Sequence, residues 1–307
     1  MKALSFFTMM VLLAFSASSQ TASQLEGRWD LTVDQGFRIA PSWLEVRHSG
    51  IQTLNGYFVA DGGSSRPVSK VNFDGKNFNF SIPPQWERAD KDLVVEGVLE
   101  GDKMTGTMIN PEGKKWTFTG VRAPTLVRSS APVWGQPIVL FNGKSTEGWH
   151  ASGEKKQWVA ENGILKSPTP GSNLITDKTF TDFKLHIEFR YPENGNSGVY
   201  LRGRYEIQIE DSKNKWIWPN EIGGVYGFIA PSQRFAKGPG VWQTYDITLV
   251  GRHVTVVANG ITIICNQEIP GITGGALDSK EGEPGPIMLQ GDHEPIEYRN
   301  IKITPAK

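Results

Sequence analysis

Polar side chains able to take part in acid–base chemistry alternate with apolar ones along three short segments, LHIEFR, GVYLRG and YEIQIE. The polar members include Glu188, Arg202, Glu206 and Gln208. Because successive side chains of a strand point to opposite faces, this alternation predicts three strands that share one apolar and one polar face. Acids, a guanidinium and an amide on one face could bind a polar ligand or transfer protons. We therefore expect these four residues to line one cleft, together with His293 of a later polar loop.

Two of these side chains are the first candidates for chemistry. Glu188 is a candidate catalytic or ligand-binding carboxylate, and its alternative role is a solvated strand face with cross-strand ion pairs. Arg202 is a candidate donor to a substrate oxygen, because Tyr200 two residues earlier would complete a common sugar-binding pair. A structural Arg202 that bridges Glu188 or Glu206 is the alternative. The remaining candidate substrate contacts are Tyr200, Glu206, Gln208, Gln290, Asn196 and Trp218.

Near the carboxyl end, the segment LQGDHEPIEYRN places His293 in a polar loop. A histidine there could act as a general base or ligate a metal, or it could be a surface side chain without a role. Glu210 and Asp211 adjoin at a predicted strand end, where they could bind a divalent metal ion or cap the loop. The sequence has no strict metal spacing such as HExxH or paired CxxC, so the metal is left open. No nucleotide or organic cofactor is expected.

Strand signals dominate the elements that must position these residues. With 34 Gly, 19 Pro and 10 Trp and few apolar residues at helical spacing, the composition predicts an all-β protein. Residues 20–123 predict a small β-meander barrel or sandwich, and the segments GRWD and LEGDKMTGTM resemble lipocalin-like barrels. Residues 124–137 contain three Pro and predict an interdomain linker. Residues 138–307 predict a two-sheet antiparallel jelly-roll sandwich.

The amino terminus and the charge balance limit where the protein acts and on what. Residues 1–19 have an apolar run followed by small residues, which predicts a secretory signal peptide cleaved before Gln20. The run is shorter than the roughly 20 residues that span a bilayer. We therefore expect an exported protein, periplasmic or secreted, of a Gram-negative bacterium. Equal numbers of Lys plus Arg and Asp plus Glu, 32 each, argue against a nucleic-acid partner.

Seven segments occur in an order that resembles the bacterial 3-keto-disaccharide hydrolase family. They are FNGKSTEGWHA, WVAENGILK, DFKLHIEFRYPENGNSGVYLRG, YEIQIEDS, VYGFIAP, VWQTYDITLVGRHVTVVANG and GPIMLQGDHEPIEYRNIKI. The similarity covers about residues 137–305. It implies a sandwich like those of the concanavalin and laminin-G folds. It also implies cleavage of a carbohydrate substrate, a glycoside whose C3 hydroxyl is already oxidised to a ketone.

The implied substrate suggests a specific chemistry. A C3 ketone acidifies the proton on C2, and its removal gives an enolate that can expel the C1 substituent by elimination or hydrolysis. Glu188, Arg202 and His293 are the expected catalytic residues. Two other classes stay open: a non-catalytic, lectin-like protein, and a conventional glycoside hydrolase in which two carboxylates such as Glu188 and Glu206 flank the bond.

Overall fold

The structure, a computed structural model, describes residues 24–212 and 217–307. The chain divides into two compact units, Met1–Ala123 and Pro124–Lys307. The predicted signal peptide, residues 1–19, lies outside the described residues. Among the residues that are described, no helix is long and apolar enough to cross a membrane.

The first unit is a closed antiparallel barrel of eight strands. They are β1 (Gly27–Asp34), β2 (Ile39–Ser49), β3 (Thr53–Val59), β4 (Arg66–Phe73), β5 (Asn77–Ile82), β6 (Leu93–Glu100), β7 (Lys103–Ile109) and β8 (Lys115–Arg122). Each strand pairs with the next, and β8 closes the barrel on β1. Alternate residues of β5 point inward, so that Phe78 and Phe80 pack in the interior against Phe118 and Phe58. The predicted β-meander is confirmed as a barrel with a packed interior.

The second unit contains two antiparallel sheets. Its strands are β9 (Ile138–Val139), β10 (Trp149–Ala151), β11 (Val159–Glu161), β12 (Ile164–Ser167), β13 (Leu174–Phe180), β14 (Phe183–Arg190), β15 (Asn196–Leu201), β16 (Tyr205–Glu210), β17 (Gln243–Val250), β18 (His253–Ala258), β19 (Ile261–Glu268), β20 (Gly285–Leu289) and β21 (Ile296–Pro305). The five-stranded sheet has the order β10-β13-β20-β15-β16. The eight-stranded sheet has the order β11-β12-β21-β14-β17-β18-β19, with β9 paired to β21.

The two sheets of the second unit pack face to face through their apolar sides. Ile207 and Ile209 of the five-stranded sheet are buried, as are Leu185 and Ile187 of the eight-stranded sheet. Polar bonds also join the sheets: Ser197 Oγ lies 2.9 Å from Tyr298 Oη. The predicted two-sheet antiparallel sandwich is therefore confirmed.

The segment predicted as an interdomain linker, residues 124–137, belongs to the second unit. Gly135 N donates to Pro305 O over 2.8 Å, so this segment lies alongside the end of β21. Arg128 Nη1 bonds Asp182 Oδ2 at 2.8 Å and compensates the charge of that buried carboxylate. Proline content predicted a linker, and long-range contacts that the local sequence does not report hold this segment against the second unit.

Candidate active site

The polar side chains of β15 and β16 lie on the outward face of the five-stranded sheet. Glu206 and Gln208 alternate with the buried Ile207 and Ile209 along β16. Tyr200 stands directly opposite Glu206 in the antiparallel register, and opposite residues share a face. We call this surface the polar face, and it comprises Tyr200, Glu206, Gln208, Gln290 and the loop of Asp292 and His293.

A buried carboxyl–phenol pair lies at the centre of the polar face. Glu206 and Tyr200 are both almost fully buried, and Tyr200 Oη lies 2.9 Å from Glu206 Oε2. Tyr200 Oη also lies 3.0 Å from the carbonyl oxygen of Gly274. The phenol is the donor in both contacts, so its one proton is shared between Glu206 Oε2 and the carbonyl oxygen of Gly274. These contacts hold the Glu206 carboxyl in place.

Burial determines the charge of Glu206. Its removal from water raises the pKa of Glu206 from 4.5 to about 8, although the bond from Tyr200 and the nearby His293 favour ionisation. The carboxyl is therefore mostly protonated at pH 7. A carboxylic acid kept neutral at this pH can donate a hydrogen bond to an oxygen that develops negative charge.

Glycine at position 198 makes room for this carboxyl. A Cβ atom there would lie 2.1 Å from Glu206 Oε1, well inside van der Waals contact. Gly198 stands opposite Gln208 on the neighbouring strand, so the Glu206 side chain extends over the backbone of β15. The glycine was part of the motif GNSGVYL, but only the structure assigns it this role.

His293 and Asp292 form a second titratable pair near Glu206. His293 Nδ1 lies 2.7 Å from Asp292 Oδ1, and the imidazole side chain is 47% exposed. The hydrogen bond to Asp292 raises the pKa of His293 above its ordinary 6.5, against the effect of partial burial, and Glu206 adds to the rise. Because the carboxylate accepts from Nδ1, the lone pair is left on Nε2. The pair has the arrangement of an oriented general base.

A loop within residues 217–229 docks on the free edge of β16. Gln208 N donates to Gly224 O over 3.0 Å, and Gly223 N donates to Gln208 O over 2.9 Å. Tyr226 N donates to Glu206 O over 3.0 Å, so the loop continues the sheet beside the Glu206 end of β16. Burial raises the pKa of Tyr226, and the charge of Glu206 adds to this effect. Trp218, predicted to contact substrate, is exposed on the same loop.

Two buried acceptors of this region have no hydrogen-bond partner within the described residues. They are Gln290 Oε1 and Glu221 Oε2. A buried acceptor that remains unpaired costs about 1–3 kcal/mol. Sugar hydroxyls are donors that could relieve this cost. Gln290 was predicted as a substrate contact, whereas Glu221 was missed because it lies in a loop without strand periodicity.

The residues at the far end of β16 have bonds within the protein. Gln208 Oε1 accepts from Ile209 N at 2.9 Å, and Asp211 Oδ2 accepts from Asn194 N at 2.9 Å. Asn196 stands opposite Glu210 at the start of β15. Burial raises the pKa of Glu210, and Glu221 and Asp211 add to the rise.

The metal ion expected at Glu210 and Asp211 stays a prediction. Within residues 24–212 and 217–307, no three His, Cys, Asp or Glu side chains are grouped to hold an ion. Asp211 also uses one oxygen for the backbone of Asn194, as described above. We therefore derive no chemical step from a metal.

The expectation that Glu188 shares a cleft with Glu206 is wrong. Glu188 lies on β14 of the eight-stranded sheet, on that sheet's solvent face. Its oxygens bond Arg299 Nε at 2.7 Å and Asn300 Nδ2 at 2.6 Å. Burial raises the pKa of Glu188, but these bonds outweigh it and hold the pKa below the ordinary value. Alternation predicted its outward direction correctly but could not tell which sheet the strand joins.

Arg202 does not lie on the polar face either. Strand β15 ends at Leu201, and Arg202 has a left-handed φ of 53°. The alternation therefore stops one residue before the arginine. Its guanidinium lies between the sheets, where Nη2 donates to Gly251 O at 2.7 Å and to Tyr205 Oη at 3.1 Å. Arg202 thus has the contacts of a structural arginine, but its partners are a carbonyl and a phenol and not the carboxylate that the alternative expected.

The fold and the site define a jelly-roll domain that carries a buried acid beside an oriented imidazole. The chain matches the 3-keto-alpha-glucoside-1,2-lyase-like domain over residues 136–304, more than half of its length. The chain belongs to this family, and the resemblance found in the sequence is confirmed. Unit Met1–Ala123 lies outside the match.

Three individual proteins similar to this chain are named as hydrolases of carbohydrates. A protein of Bacteroides thetaiotaomicron named 3-keto-disaccharide hydrolase is 30% identical over 90 residues, which cover 25% of this chain and 30% of that relative. The matched part is thus under a third of that relative's length. A solved putative glycosyl hydrolase of Parabacteroides distasonis is 31% identical, with 58% of this chain and 92% of that chain covered at a TM-score of 0.49. Another from the same organism is 26% identical, with 55% and 98% covered at a TM-score of 0.45.

Proposed function

We propose that the second unit cleaves glycosides that carry a ketone at C3. The observation that carries this proposal is the buried Glu206 carboxyl, bonded to Tyr200, on the same polar face as the Asp292–His293 pair. Membership of the 3-keto-alpha-glucoside-1,2-lyase-like family supports the substrate class. An ordinary glycoside needs a paired acid and nucleophile or base around one bond, whereas a 3-keto-glycoside needs one base and a donor at the ketone oxygen.

In the proposed reaction, Nε2 of neutral His293 removes the proton from C2. The electron pair of the C–H bond moves into an enolate, and the negative charge develops on the C3 oxygen. The carboxyl proton of Glu206 forms a hydrogen bond to that oxygen, and Asp292 stabilises the imidazolium that results. Tyr200 holds the Glu206 carboxyl in position.

The second step expels the C1 substituent. The enolate electron pair forms a C1–C2 double bond, the C1–O bond breaks, and the departing oxygen takes the proton held by His293. The sugar product is an unsaturated ketone. Addition of water, with hydroxyl to C1 and hydrogen to C2, then gives the free 3-keto sugar, so that elimination followed by hydration equals hydrolysis.

The unpaired acceptors provide the contacts that orient the sugar. Gln290 Oε1 and Glu221 Oε2 accept hydrogen bonds from sugar hydroxyls, which replaces two unsatisfied buried groups with paired ones. Trp218 offers an exposed ring at the rim of the site. A carbohydrate is the ligand class that uses hydroxyl acceptors and an aromatic ring together.

A conventional hydrolase that uses Glu188 and Glu206 does not fit the structure. The two carboxyls lie on different sheets, and Glu188 is bonded to Arg299 and Asn300. Two carboxyls that cleave an ordinary glycoside must flank one bond at about 5–9.5 Å. A lectin-like role needs no base, and turnover measurements separate it from the proposed reaction.

The test compares a p-nitrophenyl 3-keto-glucoside with the unoxidised p-nitrophenyl glucoside. We expect release of p-nitrophenol from the oxidised compound and essentially none from its partner, because only the ketone acidifies C2–H. Equal turnover of both would favour a conventional hydrolase. Binding of the 3-keto compound without turnover would favour a lectin.

A further inference from the structure

Four loops lie at one end of the barrel in the first unit, because successive strands run in opposite directions, and the first three of them follow one another around the barrel. Residues 35–38 join β1 to β2, residues 60–65 join β3 to β4, and residues 83–92 join β5 to β6. Two aromatic side chains stand out from this end: Phe37 is 78% exposed and Trp86 is 59% exposed. The barrel interior is filled by apolar side chains, so a ligand of this unit has to bind on the outside.

The Trp86 ring packs closely against a glycine pair. A Cβ atom at Gly63 would lie 2.1 Å from Cζ3 of the indole, and one at Gly62 would lie 4.0 Å from Cη2. Gly63 also has a φ of +79°, a conformation that favours glycine. The backbone of one loop therefore supports one side of the indole, while much of the ring stays in contact with water.

Hydrogen bonds fix the loop that carries Trp86. Glu87 Oε2 accepts from Gln85 N at 2.8 Å and from Trp86 N at 3.1 Å. Gln85 Nε2 donates to Ser64 Oγ at 2.8 Å, which joins the tryptophan loop to the glycine loop. A ring that is already ordered loses little freedom when a ligand binds. Trp86 is therefore an exposed ring that is already ordered for binding a ligand.

Polar groups lie on the neighbouring loops. Asp61, directly before the glycine pair, bonds Arg38, and Gln35 Nε2 donates to Asp61 Oδ2 at 2.6 Å. The Arg38 guanidinium also lies 5.9 Å from the centre of the Phe37 ring. Because the strands follow chain order around the barrel, loop 60–65 lies between the other two. Donors and acceptors thus occupy the loops that lie between and beside the two aromatic rings.

We propose that this end of the barrel binds carbohydrate chains. The apolar C–H face of a pyranose ring stacks on Trp86, and its hydroxyls bond Asp61 and Arg38. Flat aromatic surface next to charged donors and acceptors suits a sugar, which has apolar faces and a polar edge. The proposal goes beyond the reaction of the second unit. A glycan-binding unit on the same chain increases the concentration of glycoside near a catalytic unit.

Native electrophoresis of the full chain through gels that contain soluble starch, mixed-linkage β-glucan or xylan tests the proposal. We expect at least one polysaccharide to retard the protein. Trp86→Ala should weaken the apparent affinity about tenfold, near the upper value for an aromatic contact. Gly63→Ala should weaken it as well, since it keeps the tryptophan but displaces the ring. Ile51→Ala, which removes an 80% exposed side chain at the opposite barrel end, is the matched control and should change nothing.

Several results would overturn the proposal. The first is that none of the three polysaccharides retards the wild type. The second is that Trp86→Ala is retarded as much as the wild type. The third is that only Glu206→Gln loses retardation. Trp86-dependent dimerisation in sedimentation experiments would assign the ring to a contact between copies instead. The turnover of soluble 3-keto-glucoside should be unchanged by Trp86→Ala, so failure of the proposed reaction and failure of this proposal are distinguishable.

Discussion

At the residue scale, the polar face depends on how protons are distributed between Tyr200, Glu206 and His293. Strand alternation identified Tyr200, Glu206 and Gln208 from the sequence, because side-chain parity is a local property. It failed for Arg202, which lies one residue past the strand end. Its left-handed φ of 53° breaks the strand alternation, so its side chain does not point to the face that alternation predicted. The protonation of Glu206 could not be predicted, since it depends on burial, which the local sequence does not report.

The proton positions predict a bell-shaped pH dependence of kcat/KM for the 3-keto substrate. Activity should rise as His293 loses its proton, with a midpoint above 6.5, and fall as Glu206 loses its proton near pH 8. Glu206→Gln keeps a donor that does not titrate, so its surviving activity should lack the alkaline limb. A Glu206→Gln profile with the wild-type alkaline limb would contradict the role of this carboxyl.

Removal of the base is the second prediction at this scale. His293→Ala should lower kcat by roughly 10²- to 10⁴-fold, the usual loss for a general acid or base. His150→Ala is the matched control, because His150 is also exposed and also bonds an aspartate, Asp177. We expect the control to keep wild-type kinetics. Equal effects of the two substitutions would mean that His293 is not the base.

At the element scale, the positions of strands and turns were predictable but their assignment to sheets was not. The segment LHIEFR is strand β14 and YEIQIE is strand β16, as the sequence predicted. Their pairing is long-range: β14 lies between β17 and β21, whereas β16 is an edge strand beside β15. Alternation defines two faces for each strand and says nothing about its neighbours, which explains why Glu188 and Glu206 were grouped together.

The separation of the sheets predicts that Glu188 is not catalytic. Glu188→Gln should leave kcat/KM within about twofold of wild type and cost at most about 1 kcal/mol of unfolding free energy, the range of partly exposed ion pairs. Urea denaturation and the 3-keto assay measure both quantities. A loss of activity of 10²-fold or more in a folded protein would place Glu188 in the reaction after all.

The close approach of β15 to the Glu206 side chain gives a further prediction. Gly198→Ala puts a methyl group 2.1 Å from Glu206 Oε1, so we expect a loss of activity and about 1–3 kcal/mol of destabilisation. Gly282→Ala is the control, because a Cβ atom there meets nothing closer than 3.6 Å. Gly198→Ala should unfold at a lower temperature and turn over substrate more slowly than Gly282→Ala. Equal behaviour would show that Glu206 does not depend on the glycine.

At the scale of the whole molecule, two all-β units carry separate surfaces. The composition predicted both units, since turns and β-branched residues are distributed along the whole chain. The role of the segment 124–137 was not predictable, because its contacts with β21 join residues far apart in sequence. We further propose that the chain is exported, on the basis of residues 1–19. Amino-terminal sequencing of the protein from periplasmic and secreted fractions should begin at Gln20.

The most direct measurement of the central claim follows the hydrogen on C2 of a 3-keto-glucoside during cleavage in D₂O by NMR. The proposed reaction removes this hydrogen before the C1 substituent departs, so the unsaturated product should lack it and the hydrated sugar should carry deuterium there. Samples without enzyme and with His293→Ala correct for spontaneous exchange. Release of the C1 substituent into a sugar that retains its original C2 hydrogen would contradict the account.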